Sequence, residues 1–241
     1  MSWPNVTFEV VGSGMLARAF IAANSIGPQA IICAAGVADS RCVDPSAFRR
    51  ERDLLLALTR RARASGSVLV YFSGAPVYGS AEGIRTETDQ VAPETPYGRH
   101  KLECEQLVAG GGAPYLVLRL PNVVGPEGNP SQTSASRDLL DVDDLVAIVA
   151  ALLRRGAVDS VLNVASGISI PVERMAEIVA AVLGVSPSIA AVGGGDRQEF
   201  SIAVVRDVLP TYPRFDSDYP TGVLMRRVPS IERALRERAV V

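Results

Sequence analysis

Lysine is almost missing from this chain. Of its 24 lysine and arginine residues, only Lys101 is a lysine. Histidine is represented once, by His100, and cysteine three times, by Cys33, Cys42 and Cys104. Each scarcity excludes something. One histidine and three cysteines without metal-ligand spacing leave no metal site to expect. An odd, scattered set of thiols is not a disulfide framework, and reduced cysteines suit a cytoplasmic protein. The longest uncharged apolar run, Leu145 to Leu153, is too short to cross a bilayer, so no membrane partner is expected. Met1-Ser2-Trp3-Pro4 lacks a basic targeting region, and Glu9 interrupts the first apolar run. A basic excess is also absent: the formal net charge is −2, which argues against a nucleic-acid partner.

What is present is an ordinary globular balance, 48% hydrophobic and 21% charged, long enough for one large core or one core plus a small lobe. The lone lysine stands in Tyr97-Gly98-Arg99-His100-Lys101. Four residues apart on a helix, Tyr97 and Lys101 share a face. A phenol is a poor base near neutrality, and a cation close by lowers its pKa. A tyrosine tuned in this way exchanges protons with a substrate oxygen. The compact ammonium suits that task where a planar guanidinium does not.

Along the chain, strand and helix patterns alternate. Val6 to Val11 reads as a buried strand running into Gly12-Ser13-Gly14-Met15-Leu16-Ala17, and a helix follows to about Ala23. This is the glycine-turn fingerprint of a dinucleotide site in its proper context. The first glycine makes the turn, the second admits a pyrophosphate, and a small third residue lets the helix pack on the strand. Further strands are expected over Ala30 to Gly36, Ser67 to Phe72, Tyr115 to Leu120 and Val161 to Val164. Helices are expected over Pro45 to Ala64, from Pro96 through Lys101, over Val142 to Arg155 and over Pro171 to Leu183. Gly110-Gly111-Gly112 and Gly193-Gly194-Gly195 read as loops.

With these landmarks in order, the chain resembles the extended short-chain dehydrogenase/reductase family, in its sugar-nucleotide epimerase/dehydratase branch. The motifs are the glycine turn, Ala34-Ala35-Gly36, Val77-Tyr78-Gly79, Tyr97-x-x-x-Lys101, Arg119 to Pro126, Arg137 to Asp144 and Leu162 to Gly167. The resemblance implies an α/β fold: a Rossmann-like, doubly wound parallel sheet over residues 1–165, with a small C-terminal substrate lobe over 166–241. It implies NAD or NADP as cofactor, a nucleotide-linked sugar as substrate and a homodimer paired through the segments Ser46 to Ala64 and Tyr97 to Ala109. Tyr97 would be the acid/base. Lys101 would lower its pKa and hold the nicotinamide ribose. Gly12, Gly14, Met15 and Leu16 would meet the pyrophosphate, and Ala34, Ala35, Gly36 and Pro121 would line the cofactor cleft. Asn122 and Arg137 would face the substrate, although Arg137 equally suits a role in stabilising the loop before the next helix.

Two departures from the family pattern matter. The serine or threonine expected three residues before Val77 is Gly74. Ser73 is the replacement donor to consider, with Ser80 as another, although neighbouring strand residues face opposite ways. The chain also lacks the second and third strands that normally precede Ala34, so the fold should be truncated on the adenosine side. These departures keep open an alternative: a degenerate relative that binds a nucleotide or sugar nucleotide without turnover.

Overall fold

The computed structural model describes residues 8–23, 29–80, 83–126, 136–186 and 199–238. In chain order it contains β1 (Glu9–Val11), α1 (Met15–Ala23), β2 (Ala30–Cys33), α2 (Pro45–Ser65) and β3 (Val68–Gly74). A short 3-10 turn, Ala75–Val77, leads on to α3 (Pro96–Gly110), β4 (Tyr115–Leu120), β5 (Asn122–Val124), β6 (Ser136–Asp141) and α4 (Val142–Arg155). The chain ends with β7 (Ser160–Asn163), β8 (Ser169–Pro171), α5 (Val172–Leu183), α6 (Ala203–Val208) and α7 (Tyr219–Arg238). Residues 6 and 7 of the expected first strand, and the expected loop at 193–195, lie outside the described residues.

Five strands form one wholly parallel sheet in the order β1-β2-β3-β4-β7. Its registers place Val10 beside Ile32, Ile32 beside Val70 and Val70 beside Leu116. Ala30-Ile31-Ile32-Cys33 is buried at every position, as expected of a parallel strand covered on both faces. Phe20, Ile32, Val70 and Leu118 belong to the core on one face, whereas Leu55, Leu69, Tyr71 and Val117 belong to the core on the other. Among the described residues the sheet ends at β1, which pairs only with β2. The shortening read from the sequence is therefore a sheet cut off beside the glycine turn.

Local chemistry sets the helix ends. The Asp44 carboxylate accepts from Ser46 N–H and Pro45 opens α2, while Gly66 closes it in the left-handed conformation. Thr95 caps α3 by accepting from Gly98 N–H, with Pro96 next to it. Asp141 caps α4 by accepting from Asp143 N–H.

A second, small sheet joins β5, β6 and β8, with β6–β8 antiparallel. Val124, Leu139, Ile170, Met175, Val223 and Leu224 make its core with α5 and α7. The two cores do not divide at residue 165, because β5 and β6 come from before that point and β8 from after it. Arg137 lies on β6, which runs directly into α4, so no loop separates them for Arg137 to stabilise. Its motif was read without strand signals because β6 is short and mixes polar with apolar residues.

Candidate active site

The carboxyl ends of the parallel strands open onto a cleft of about 1070 Å³. Gly12, Gly14, Met15, Leu16, Ala34, Ala35 and Gly36 line one part of it, and Ser73, Tyr97, Lys101, Pro121, Asn122 and Arg137 line another. Residues 125 positions apart in sequence thus share one cavity. Gly12 has φ +137°, and a β-carbon there would sit 2.5 Å from the Ala34 carbonyl oxygen. Only glycine permits that crossing of turn and strand. A β-carbon on Gly14 would meet nothing within 4 Å, so open space lies above the start of α1.

Strand alternation sets where Ser73 points. Tyr71 faces α2 and α3, Phe72 packs on the opposite face, and Ser73 returns to the side of Tyr71. Its hydroxyl is buried, lines the cleft and has no hydrogen-bond partner among the described residues. Ser80 also lines the cleft, but its hydroxyl donates to Glu94 Oε2 at 2.7 Å. Gly74 contributes no side chain to this wall.

Tyr97 and Lys101 occupy the buried face of α3 together with His100, Cys104 and Glu105. Lys101 Nζ lies 5.6 Å from the Tyr97 ring centroid. Its hydrogen bonds go elsewhere, to Glu51 Oε1 at 2.9 Å, Tyr71 Oη at 3.1 Å and the Phe72 carbonyl at 3.4 Å. Burial pushes the Tyr97 phenol above its ordinary value; Lys101 pulls it down, and Glu51 pushes it up again. The sequence-based expectation of a tyrosine tuned downward therefore meets a stronger opposing effect, desolvation, together with an acid that the sequence reading did not include.

That acid is Glu51 on α2. Its carboxylate also accepts from Tyr71 Oη at 2.9 Å, His100 Nε2 at 2.9 Å and Val37 N–H at 2.7 Å. Burial alone would raise its pKa, but His100, Lys101 and Val37 N–H hold it down at about 2. A sequence signal for it did exist. Phe48, Glu51, Leu55, Leu58 and Ala62 form one buried stripe at helical spacing, and a carboxylate within such a stripe needs a partner. Arg85 was missed as well. It lines the cleft, and its Nη2 is buried without a hydrogen-bond partner among the described residues. Burial also lowers the pKa of the Arg137 guanidinium from the ordinary arginine value.

The sequence model of the NAD dependent epimerase/dehydratase family matches residues 16–136, just over half of the chain. The chain belongs to that family. Solved structures with the same fold include a UDP-galactose 4-epimerase, 22% identical, covering 87% of this chain and 79% of its own, with TM-score 0.73. RMD from Pseudomonas aeruginosa, complexed with NADPH, is 22% identical over 94% of this chain and 97% of its own, with TM-score 0.74. A dTDP-glucose 4,6-dehydratase from Bacillus anthracis, in complex with NAD, is 19% identical over 86% and 73%, with TM-score 0.72. No curated protein matches the chain significantly. At these identities the solved structures establish the parallel, Rossmann-like fold. Among the described residues, no helix of this family member is long and apolar enough to cross a membrane.

Proposed function

We propose that the chain is an NAD(P)-dependent epimerase, dehydratase or reductase acting on a nucleotide-linked sugar. The observation that carries this reading is the meeting of Tyr97, Lys101 and the Ser73 hydroxyl, unpartnered among the described residues, in the cleft that also contains the glycine turn. The turn fits a dinucleotide: the space above Gly14 and the free N–H groups at the start of α1 suit a pyrophosphate. Met15 and Leu16 border that space, and Ala34, Ala35, Gly36 and Pro121 form walls beside it. When bound, a nicotinamide dinucleotide supplies a hydride acceptor and donor.

The chain's own residues do the rest. Tyr97 exchanges a proton with the sugar oxygen at the reacting carbon. Ser73 donates a hydrogen bond to the same oxygen, in place of the donor missing at Gly74. Lys101 supplies a cation 5.6 Å from the centroid of the phenol ring and would face the ribose of a bound cofactor. Asn122 and Arg137 orient the substrate, and Arg137 with Arg85 offers two guanidinium groups to a diphosphate. The lobe built on β6 thereby becomes the sugar-nucleotide side of the cleft.

The test is product analysis by NMR after incubation with UDP-, dTDP- and ADP-sugars plus NAD or NADP. Turnover is expected with at least one pair, falling about 10²–10⁴-fold in Tyr97→Phe. Full activity in Tyr97→Phe would sink the assignment. A second reading, binding of a sugar nucleotide without turnover, is favoured by Gly74 and by the sheet ending at β1. Tight binding with no product from any pair would select it.

A further inference from the structure

We propose that Glu51 is a positioning residue that opposes the charge of Lys101 and so, together with burial of the ring, holds Tyr97 as a neutral phenol, the proton donor of the site. The inference rests on Tyr97 being the acid/base, and it adds the form in which that residue waits.

Both members of the ion pair are saturated. An ionised carboxylate has about four lone-pair sites. Glu51 fills them with Lys101 and Tyr71 on Oε1, and with His100 and Val37 N–H on Oε2. An ammonium has three N–H groups, and those of Lys101 go to Glu51, Tyr71 and the Phe72 carbonyl. None points at Tyr97. The Glu51 and Lys101 side chains are 1% and 6% exposed, so water does little to screen them, and what Tyr97 feels is an opposed pair of charges. The place of the carboxylate is built into the cleft wall, because a β-carbon on Gly36 would stand 2.5 Å from Glu51 Oε1. Gly36 lies three residues beyond the end of β2 and lines the cleft, so the acid reaches in beneath that wall.

The other groups around the phenol do not restore a cationic field. Around the Glu51–Lys101 pair lie His100 and Cys104 from α3, Tyr71 from β3 and Cys33 from β2, and the segment after β2 contributes Asp39, already paired with Arg41, to the phenol itself. Of those that act on Tyr97 electrostatically, Lys101 favours the phenolate, while Glu51, Asp39 and Cys104 oppose it. A neutral phenol can give a proton to a carbonyl oxygen at once. It can take one from an alcohol only after losing its own. Glu51 therefore biases the resting site toward proton donation.

The experiment is an NMR pH titration of the full chain labelled with [13Cζ]tyrosine, with the Tyr97 signal assigned by its loss in Tyr97→Phe. Glu51→Gln keeps the side-chain shape and removes the charge. The Tyr97 midpoint is expected to fall by about one unit or more in that variant, the usual effect of an unopposed cation nearby. An unchanged midpoint in folded Glu51→Gln would overturn the proposal. If that variant does not fold, Glu51→Gln/Lys101→Met removes both charges. A rise smaller than that in Lys101→Met alone then supports the opposition of the two charges, and an equal rise overturns it. No substrate enters the measurement, so an absence of turnover would count against the proposed function and leave this result standing.

Discussion

Lys101 spends its three N–H groups inside the protein, and Glu51 is the partner that makes this stable. A carboxylate buried without such donors would be neutralised rather than paired. Its folded pKa of about 2 lies below the ordinary carboxylate value, because His100, Lys101 and Val37 N–H outweigh burial. The folded state therefore binds this proton more weakly than the unfolded chain does. The resulting stabilisation is present above the unfolded value and is lost as pH falls from about 5 to about 2. It is worth roughly 3 kcal/mol. Urea unfolding across that range is expected to show wild type losing roughly 3 kcal/mol more than Glu51→Gln. Parallel pH dependences in the two proteins would contradict the assigned pair.

At the scale of elements, one buried aspartate joins the two cores. Asp141 ends β6, caps α4 through Asp143 N–H and accepts from Arg227 on α7 through both of its oxygens. Arg226 reaches the same carboxylate at 3.4 Å, and Tyr219 at the start of α7 donates to Asp144 at 2.6 Å. Removing the acid costs α4 its cap, about 1 kcal/mol, and frees the arginines that hold α7. Asp141→Ala is expected to destabilise by about 2–4 kcal/mol in chemical denaturation. Its coupling energy with Arg227→Ala should be about 1–3 kcal/mol in a double-mutant cycle. Additivity of the two single changes would mean that α7 is held by its apolar face alone. That face is substantial: Val223, Leu224 and Val228 are buried against α5 and β6 neighbours.

For the whole molecule, the decisive fact is where the sheet stops. With β1 at the edge among the described residues, none of the described strands carries an acid toward an adenosine ribose, although the pyrophosphate turn is intact. Calorimetric titration should give weak binding of NAD and NADP, with affinities within about tenfold of each other, a difference under about 1.4 kcal/mol. Strong selectivity for one of them would require an adenosine wall from elsewhere in the protein. Assembly is a second property at this scale. Of the leucines on α2, Leu55 and Leu58 face the sheet, while Leu56 is 40% exposed. On α3, Leu102 and Leu107 are half-buried. A homodimer through these two helices is expected in analytical ultracentrifugation at micromolar concentration, and a monomer would refute it.

The βα alternation, the glycine turn and the ends of α1, β4 and α4 were legible in the sequence, because each depends on neighbours within a few residues: a cap, a proline, a β-branched run. The Tyr97/Lys101 pair was legible for the same reason, since one helical turn separates its members. The small strands β5, β6 and β8 were not. Three to six residues of mixed polarity carry no period, and their pairing is decided by partners 17 to 35 positions away. The electrostatics of the site were hidden in the same way. Sequence alone placed a cation beside a phenol, but Glu51 lies 50 residues from Lys101. Only the packing of α2 against α3 brings its carboxylate within 2.9 Å of that cation. Spacing along a helix determines which residues share a face, whereas the charge that a buried group feels is determined by what the fold packs against that face.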